Sequence, residues 1–132
     1  MIKGTDYDRA IEEMYKDALL DEWRHPKNRG LLEDYDLEGH VVNQLCGDAV
    51  LLRLKFQDGV VSKVSFDGEG CAISQASSSL LTEFIKGKSE AEISNLQESE
   101  ILDLLQIEVI PTRLKCALLP LQAVRQTLSQ EN

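Results

Sequence analysis

The sequence predicts an α+β fold in which a small antiparallel sheet of about three strands is covered by amphipathic helices. Apolar and polar residues alternate along residues 50–56 and again along 60–66, and the intervening Asp58-Gly59 pair is typical of a tight hairpin turn. Apolar residues recur at helical spacing before and after this hairpin. Because helices and strands are grouped along the chain and do not alternate, the pattern indicates an α+β domain.

The chain is predicted to begin with an amphipathic helix over about residues 6–24, with one apolar and one charged face. Pro26 predicts its end, because a residue that precedes proline is displaced from helical geometry. A short strand is predicted around residues 39–42, and the loop 43–48 that follows contains Asn, Gly and Asp residues that suit a turn. His40, at the strand start, is interpreted as a surface or packing residue in preference to a metal ligand.

The second half of the chain contains four segments whose apolar residues have helical spacing. They cover residues 71–86, 89–96, 99–105 and 114–128. Gly87 suits the end of the first of these helices. Pro120 lies inside the last one and cannot donate to the carbonyl of residue 116, so it predicts a local kink or a later helix start. The serine run 77–79 is interpreted as small residues that permit close helix packing, because no positioned His–acid pair accompanies it.

Length and charge limit the classes of function. The 132 residues suit one domain, predicted to span 1–132. A formal net charge of −9 and the lack of a Lys/Arg cluster argue against a nucleic-acid partner. No apolar run approaches the roughly 18 residues of a membrane span, and the start of the chain does not resemble a secretion signal. We therefore expect a soluble cytoplasmic protein without a membrane partner.

The three cysteines and one carboxylate are the candidate chemical groups. Cys46 is predicted on a loop, Cys71 at a helix start and Cys116 in the first turn of the last helix, while Asp48 follows Cys46 by two positions. Three thiolates and a carboxylate can complete a four-coordinate zinc or iron site. Helix starts stabilise negative charge, as do cations such as Arg113 beside Cys116. The set is therefore predicted to bind a metal or an iron–sulfur group.

A second interpretation is that the cysteines are small buried apolar residues. The sequence contains no Cys-x-x-Cys pair, so the four predicted ligands could meet only through the tertiary fold.

Three segments carry a resemblance to a known family. Residues 43–48 (NQLCGD), 68–79 (GEGCAISQASSS) and 113–117 (RLKCA) together closely resemble the cysteine motifs of the iron–sulfur cluster assembly scaffold family, which comprises IscU, the NifU amino-terminal domain and SufU. The resemblance covers nearly the whole chain. Lys115 stands where IscU-type members have histidine and resembles SufU, although the insertion usual in SufU between the second and third cysteines is missing.

The resemblance implies both a site and a function. Cys46, Cys71 and Cys116 would bind a cluster or zinc, and Asp48 would be the fourth ligand and govern cluster release. The protein would accept sulfur from a cysteine desulfurase, bind iron, assemble a transient [2Fe–2S] cluster and pass it to apo iron–sulfur proteins or carrier proteins. The resemblance thus implies a non-enzymatic scaffold, with sulfurtransferase activity as the alternative.

Two alternatives are kept. In a zinc-dependent sulfurtransferase, the same four residues would hold Zn²⁺, and Cys116 or Cys46 would accept persulfide sulfur while Arg113 stabilises the thiolate released from the metal. Lys115 is expected to act as a nearby cation and not as a ligand. A purely structural zinc domain is the third interpretation, and the missing Cys-x-x-Cys pairs argue against it.

Overall fold

The computed structural model describes residues 16–44 and 47–129. The regular elements in chain order are α1 (16–24), β1 (Leu37–Asn43), β2 (Asp48–Gln57), β3 (Val60–Glu69), α2 (Ala72–Ile85), α3 (Glu90–Ser94), α4 (Glu98–Leu105), a 3-10 turn (Pro111–Arg113) and α5 (Leu114–Ser129). The predicted start of the first helix, residues 6–15, lies outside the described residues. Within the described ranges, no helix is long and apolar enough to cross a bilayer.

The three strands form one antiparallel sheet in the order β1-β2-β3, which confirms the predicted α+β class. The predicted hairpin turn is also confirmed. Asp58 and Gly59 both have positive φ, at 55° and 82°, as a two-residue turn between right-twisted strands requires.

One prediction about the hairpin is wrong. Strict alternation places Val60 on the same face as Val64, yet Val61 is the residue buried in the core. The pairing shifts between Lys55 and Phe56, so that Ser62 is an extra residue on β3. Such a bulge moves every residue beyond it to the other face of the strand.

The core lies between one face of the sheet and the helices α2 and α5. Its largest fully buried strand residues are Leu52, Leu54 and Phe66. Helix α5 crosses β1 closely at Gly39, where an added Cβ would lie 2.3 Å from the carbonyl oxygen of Ala123. The small residue therefore allows α5 to pack directly on the strand that leads to the cysteine loop.

The ends of the helices follow local rules. Helix α2 ends before Gly87, whose φ of 83° is the left-handed conformation that glycine adopts without strain, as predicted. Ser89 and Glu92 form a complete capping box at the start of α3. The pKa of Glu92 is lowered, first by the backbone N–H of Ser89 and then by its hydroxyl.

Helix α5 begins at Leu114 and continues through Pro120, so the alternative of a later helix start is wrong, and the kink stays a prediction. Proline removes one helical hydrogen bond and crowds the preceding turn. In that turn, the buried hydroxyl of Ser77 donates to the carbonyl of Ala117 at 2.5 Å. A side chain of α2 thus bonds to the α5 backbone close to the proline.

Candidate metal centre

Three of the four predicted ligands come together at one end of the sheet. Asp48 is the first residue of β2, Cys71 is the N-cap residue of α2, and Cys116 lies in the first turn of α5. One carboxylate oxygen and the two sulfur atoms lie within 4.8 Å of one another. Cys46 lies outside the described residues, so its position near this group stays a prediction.

Asp48 is a buried carboxylate whose two oxygens differ in their contacts with the described residues. Its side chain belongs to a residue that is 1% exposed, and its Oδ1 accepts the backbone N–H of Cys71 at 3.1 Å. Its Oδ2 has no hydrogen-bond donor among the described parts of the chain. A buried carboxylate oxygen left without a partner is costly, and a bound cation would remove that cost.

The two thiols and the carboxylate are chemically suited to bind a cation. Thiolates suit zinc and iron, and a carboxylate oxygen is an acceptable harder ligand for either metal. Cys71 is half-buried and Cys116 is fully buried. The residues present therefore fit a thiolate-binding metal or an iron–sulfur group.

The loop that carries Cys71 is held by Arg29, a residue that sequence reasoning missed. Its guanidinium donates to the carbonyl of Gly68 at 3.1 Å, to Oε1 of Gln75 at 2.8 Å and to Oδ1 of Asp67 at 3.2 Å. One side chain thus joins the end of β3 to the first turn of α2. The only signal in the sequence is a cation that closely follows the proline turn.

The turn after α1 is itself bonded to the sheet and to α2. Phe66 donates its amide to the carbonyl of Asn28 and accepts the amide of Gly30, at 3.0 and 2.9 Å. The amide of Lys27 donates to Oγ of Ser79 at 2.7 Å. These bonds fix the backbone on either side of Arg29 and so set the direction of its side chain.

The serine run on α2 takes part in this packing. Ser77, Ser78 and Ser79 are all buried, and each hydroxyl donates a hydrogen bond. The acceptors are the carbonyl of Ala117, the carbonyl of Ser74 and the carboxylate of Glu22. These bonds support the structural interpretation of the run.

The two cations predicted near the last cysteine lie on the surface. Arg113 is exposed at the end of the 3-10 turn, and Lys115 is exposed at the start of α5. Lys115 lines a shallow recess of about 230 Å³ together with Val42 and Leu119. The chemical roles assigned to both residues stay predictions.

His40 is exposed on β1, and the donor group found among the described residues contains no histidine.

These features define a class of protein, namely a small α+β domain that gathers thiol and carboxylate donors where one end of a sheet meets two helix starts. The family model described as the NifU-like N terminal domain matches residues 14–130. The chain belongs to this family, which confirms the resemblance inferred from the cysteine motifs.

Individual relatives agree with this assignment. The chain is 30% identical to the zinc-dependent sulfurtransferase SufU of Bacillus subtilis, over 95% of this chain and 96% of that protein. It is 35% identical to the iron–sulfur cluster assembly scaffold protein IscU of Thermotoga maritima, over 89% and 94% of the two chains. The crystal structure of a nitrogen-fixing NifU-like protein (N-terminal) from Brucella abortus superposes with a TM-score of 0.75 at 26% identity, covering 91% and 95%.

Proposed function

We propose that this protein is an iron–sulfur cluster assembly scaffold that accepts sulfur from a cysteine desulfurase, binds iron and assembles a labile [2Fe–2S] cluster. The cluster is then passed to apo iron–sulfur proteins or carrier proteins. The observation that carries the proposal is the buried Oδ2 of Asp48, which has no hydrogen-bond donor within residues 16–44 and 47–129 and lies beside the thiols of Cys71 and Cys116. Residues 1–132 act as one scaffold domain, and a reducing compartment such as the cytoplasm suits its thiols.

The proposed ligands are Cys46, Asp48, Cys71 and Cys116. Thiolates hold iron firmly, whereas a carboxylate oxygen is a harder and weaker ligand for the iron of a cluster. A set of three thiolates and one carboxylate therefore favours a labile cluster over a permanently bound one. The partial exposure of Cys71 gives the site a side from which a partner can approach.

A second candidate function is zinc-dependent sulfur transfer. It is favoured by the similarity to the Bacillus subtilis protein and by Lys115 in the position before Cys116. The thiolate of Cys116 or Cys46 would attack the terminal sulfur of a donor persulfide, and the donor cysteine would leave as a thiolate. This exchange needs no external oxidant or reductant. Arg113 would stabilise the thiolate before the attack.

Metal analysis separates the two functions. The protein is purified without oxygen and is measured by elemental analysis and absorption spectroscopy, before and after incubation with ferrous iron, cysteine and a cysteine desulfurase. The incubation is done with and without dithiothreitol, which supplies the electrons that reduce persulfide sulfur to sulfide. A scaffold acquires iron, sulfide and a visible chromophore. A zinc sulfurtransferase retains zinc, stays colourless and accumulates persulfide. Protein that binds neither metal under both conditions would contradict the proposal.

A further inference from the structure

We propose that Gly70 is a positioning residue for the metal centre, because its lack of a side chain lets the carboxylate of Asp48 reach the backbone N–H of Cys71. One oxygen of Asp48 then holds the start of α2, and the other is left for the metal. This inference rests on the proposed role of Asp48 as a ligand.

The space at Gly70 is already filled by other side chains. A Cβ at this position would lie 2.7 Å from Oδ1 and 3.1 Å from Cγ of Asp48, and 2.2 Å from Oγ of Ser74. The φ of Gly70 is outside the left-handed region, so this angle does not itself require glycine. Glycine is therefore required here for space and not for conformation.

Asp48 stabilises the start of α2, which has no side-chain cap of its own. The N-cap residue Cys71 makes no side-chain capping bond, and the first turn of α2 contains no acidic residue. Asp48 holds the helix start from β2 in another way, since its Oδ1 accepts the amide of the N-cap residue and places the carboxylate beside the positive end of the helix. The helix start that presents the Cys71 thiol is thereby attached to a second ligand.

The backbone of Cys71 is held on both sides. Its N–H donates to Asp48, and its carbonyl accepts the hydroxyl of Ser74 and the amide of Gln75, each at 3.1 Å. Groups that orient metal ligands in this way typically change metal affinity about 10- to 100-fold when they are lost. Gly70 acts through this arrangement and would not itself contact the metal.

The first test uses Gly70→Ala with Co²⁺ as the only added metal. Cobalt affinity is measured from the thiolate-to-cobalt absorption, and exchange of the Cys71 amide proton is measured by NMR in the metal-free protein. We expect a folded variant whose cobalt affinity falls at least about tenfold and whose Cys71 amide exchanges faster. Unchanged values for both quantities would overturn the inference.

A matched variant separates the two contacts of the added methyl group. Gly70→Ala combined with Ser74→Ala removes the hydroxyl that the new Cβ would meet but keeps its clash with Asp48. We expect cobalt affinity to be lower in the double variant than in Ser74→Ala alone, which controls for the lost bond from Ser74 to the Cys71 carbonyl. Recovery to the affinity of Ser74→Ala would show that Gly70 serves only the packing of Ser74, and the inference would be wrong.

A third comparison does not depend on Gly70 and remains informative if Gly70→Ala fails to fold. Asp48→Asn keeps an oxygen acceptor for the Cys71 amide, whereas Asp48→Ala removes it. We expect slow exchange of the Cys71 amide proton in the first variant and fast exchange in the second, and equal exchange rates would overturn the inference.

Cys116→Ser serves as the control for the metal site itself. If it leaves cobalt binding intact, the proposed metal site is wrong, whatever Gly70 does.

Discussion

The two ends of the three-stranded sheet are stabilised in different ways. At the hairpin end, the backbone of Val61 donates to Lys88 and accepts from Gly87, and the adjacent Ser89–Glu92 capping box involves residues three positions apart. At the opposite end, side chains of residues distant in sequence add to the backbone bonds between Phe66 and the turn after α1. Arg29 bonds to the end of β3 and to the first turn of α2, and Asp48 bonds to Cys71.

This difference suggests that the hairpin end contributes mainly to the stability of the fold, whereas the opposite end contributes to metal binding. Backbone bonds and a local cap hold the hairpin end whether or not a metal is present. The end with the thiols also depends on a few charged side chains, and one of them, Asp48, has a buried oxygen without a hydrogen-bond donor in the part of the chain that the structure describes. We expect changes at the hairpin end to alter the free energy of unfolding alone, and changes at the other end to alter metal binding.

The largest effect is expected for Cys116→Ser. Replacing this buried thiol with a hydroxyl removes a strong ligand for zinc and iron. Metal content after reconstitution should fall to near zero, as measured by elemental analysis. Lys115→Ala is the matched control on the neighbouring residue and should leave metal content unchanged. Loss of metal in the control would show that Lys115 had been wrongly excluded as a ligand.

A smaller effect is expected for Arg29→Ala, which frees the loop before Cys71. Metal affinity should fall about tenfold, as for other groups that orient ligands. The free energy of unfolding should fall by only about 1 kcal/mol, since the guanidinium is partly exposed. Arg125→Ala is the control, because Arg125 also donates to a backbone carbonyl, that of Leu96. Equal metal affinity in the two variants would show that the end with the thiols has no special role in metal binding.

At the hairpin end, Ser89→Ala removes the N-cap hydroxyl of α3. The free energy of unfolding measured in urea should decrease by about 1 kcal/mol, the usual cost of a lost cap. Metal affinity measured with cobalt should be unchanged. A parallel loss of metal affinity would mean that the two ends are energetically coupled.

The smallest effect concerns the pH dependence of the same cap. The Ser89 N–H and hydroxyl lower the pKa of Glu92 from its ordinary value of 4.5, so the ionised carboxylate stabilises the folded state. This contribution is fully present above 4.5 and is lost as the pH falls through the lowered value. The stability difference between the parent protein and Glu92→Gln should therefore narrow in acid. A difference that stays constant with pH would contradict this origin.

The success of sequence reasoning also differs between the two ends. The hairpin could be predicted because alternation and the Asp58-Gly59 turn are local signals. The bulge at Ser62 could not, because its register depends on which residues the helices cover. Asp48, Cys71 and Cys116 could be named from their motifs. Arg29 and Gly70 could not, because their partners become neighbours only in the folded chain.

The short parallel bridge between Arg29 and Phe66 has a further consequence for self-association. The outer edge of β3 is bonded to the turn after α1 near one end and to Gly87 and Lys88 near the other. On the opposite edge of the sheet, the backbone amide of His40 donates to the side chain of Gln126. Exposed strand edges are the usual templates for aggregation between chains. The outer edge of β3 is therefore partly closed to pairing with a second copy, while the half-buried thiol of Cys71 stays accessible.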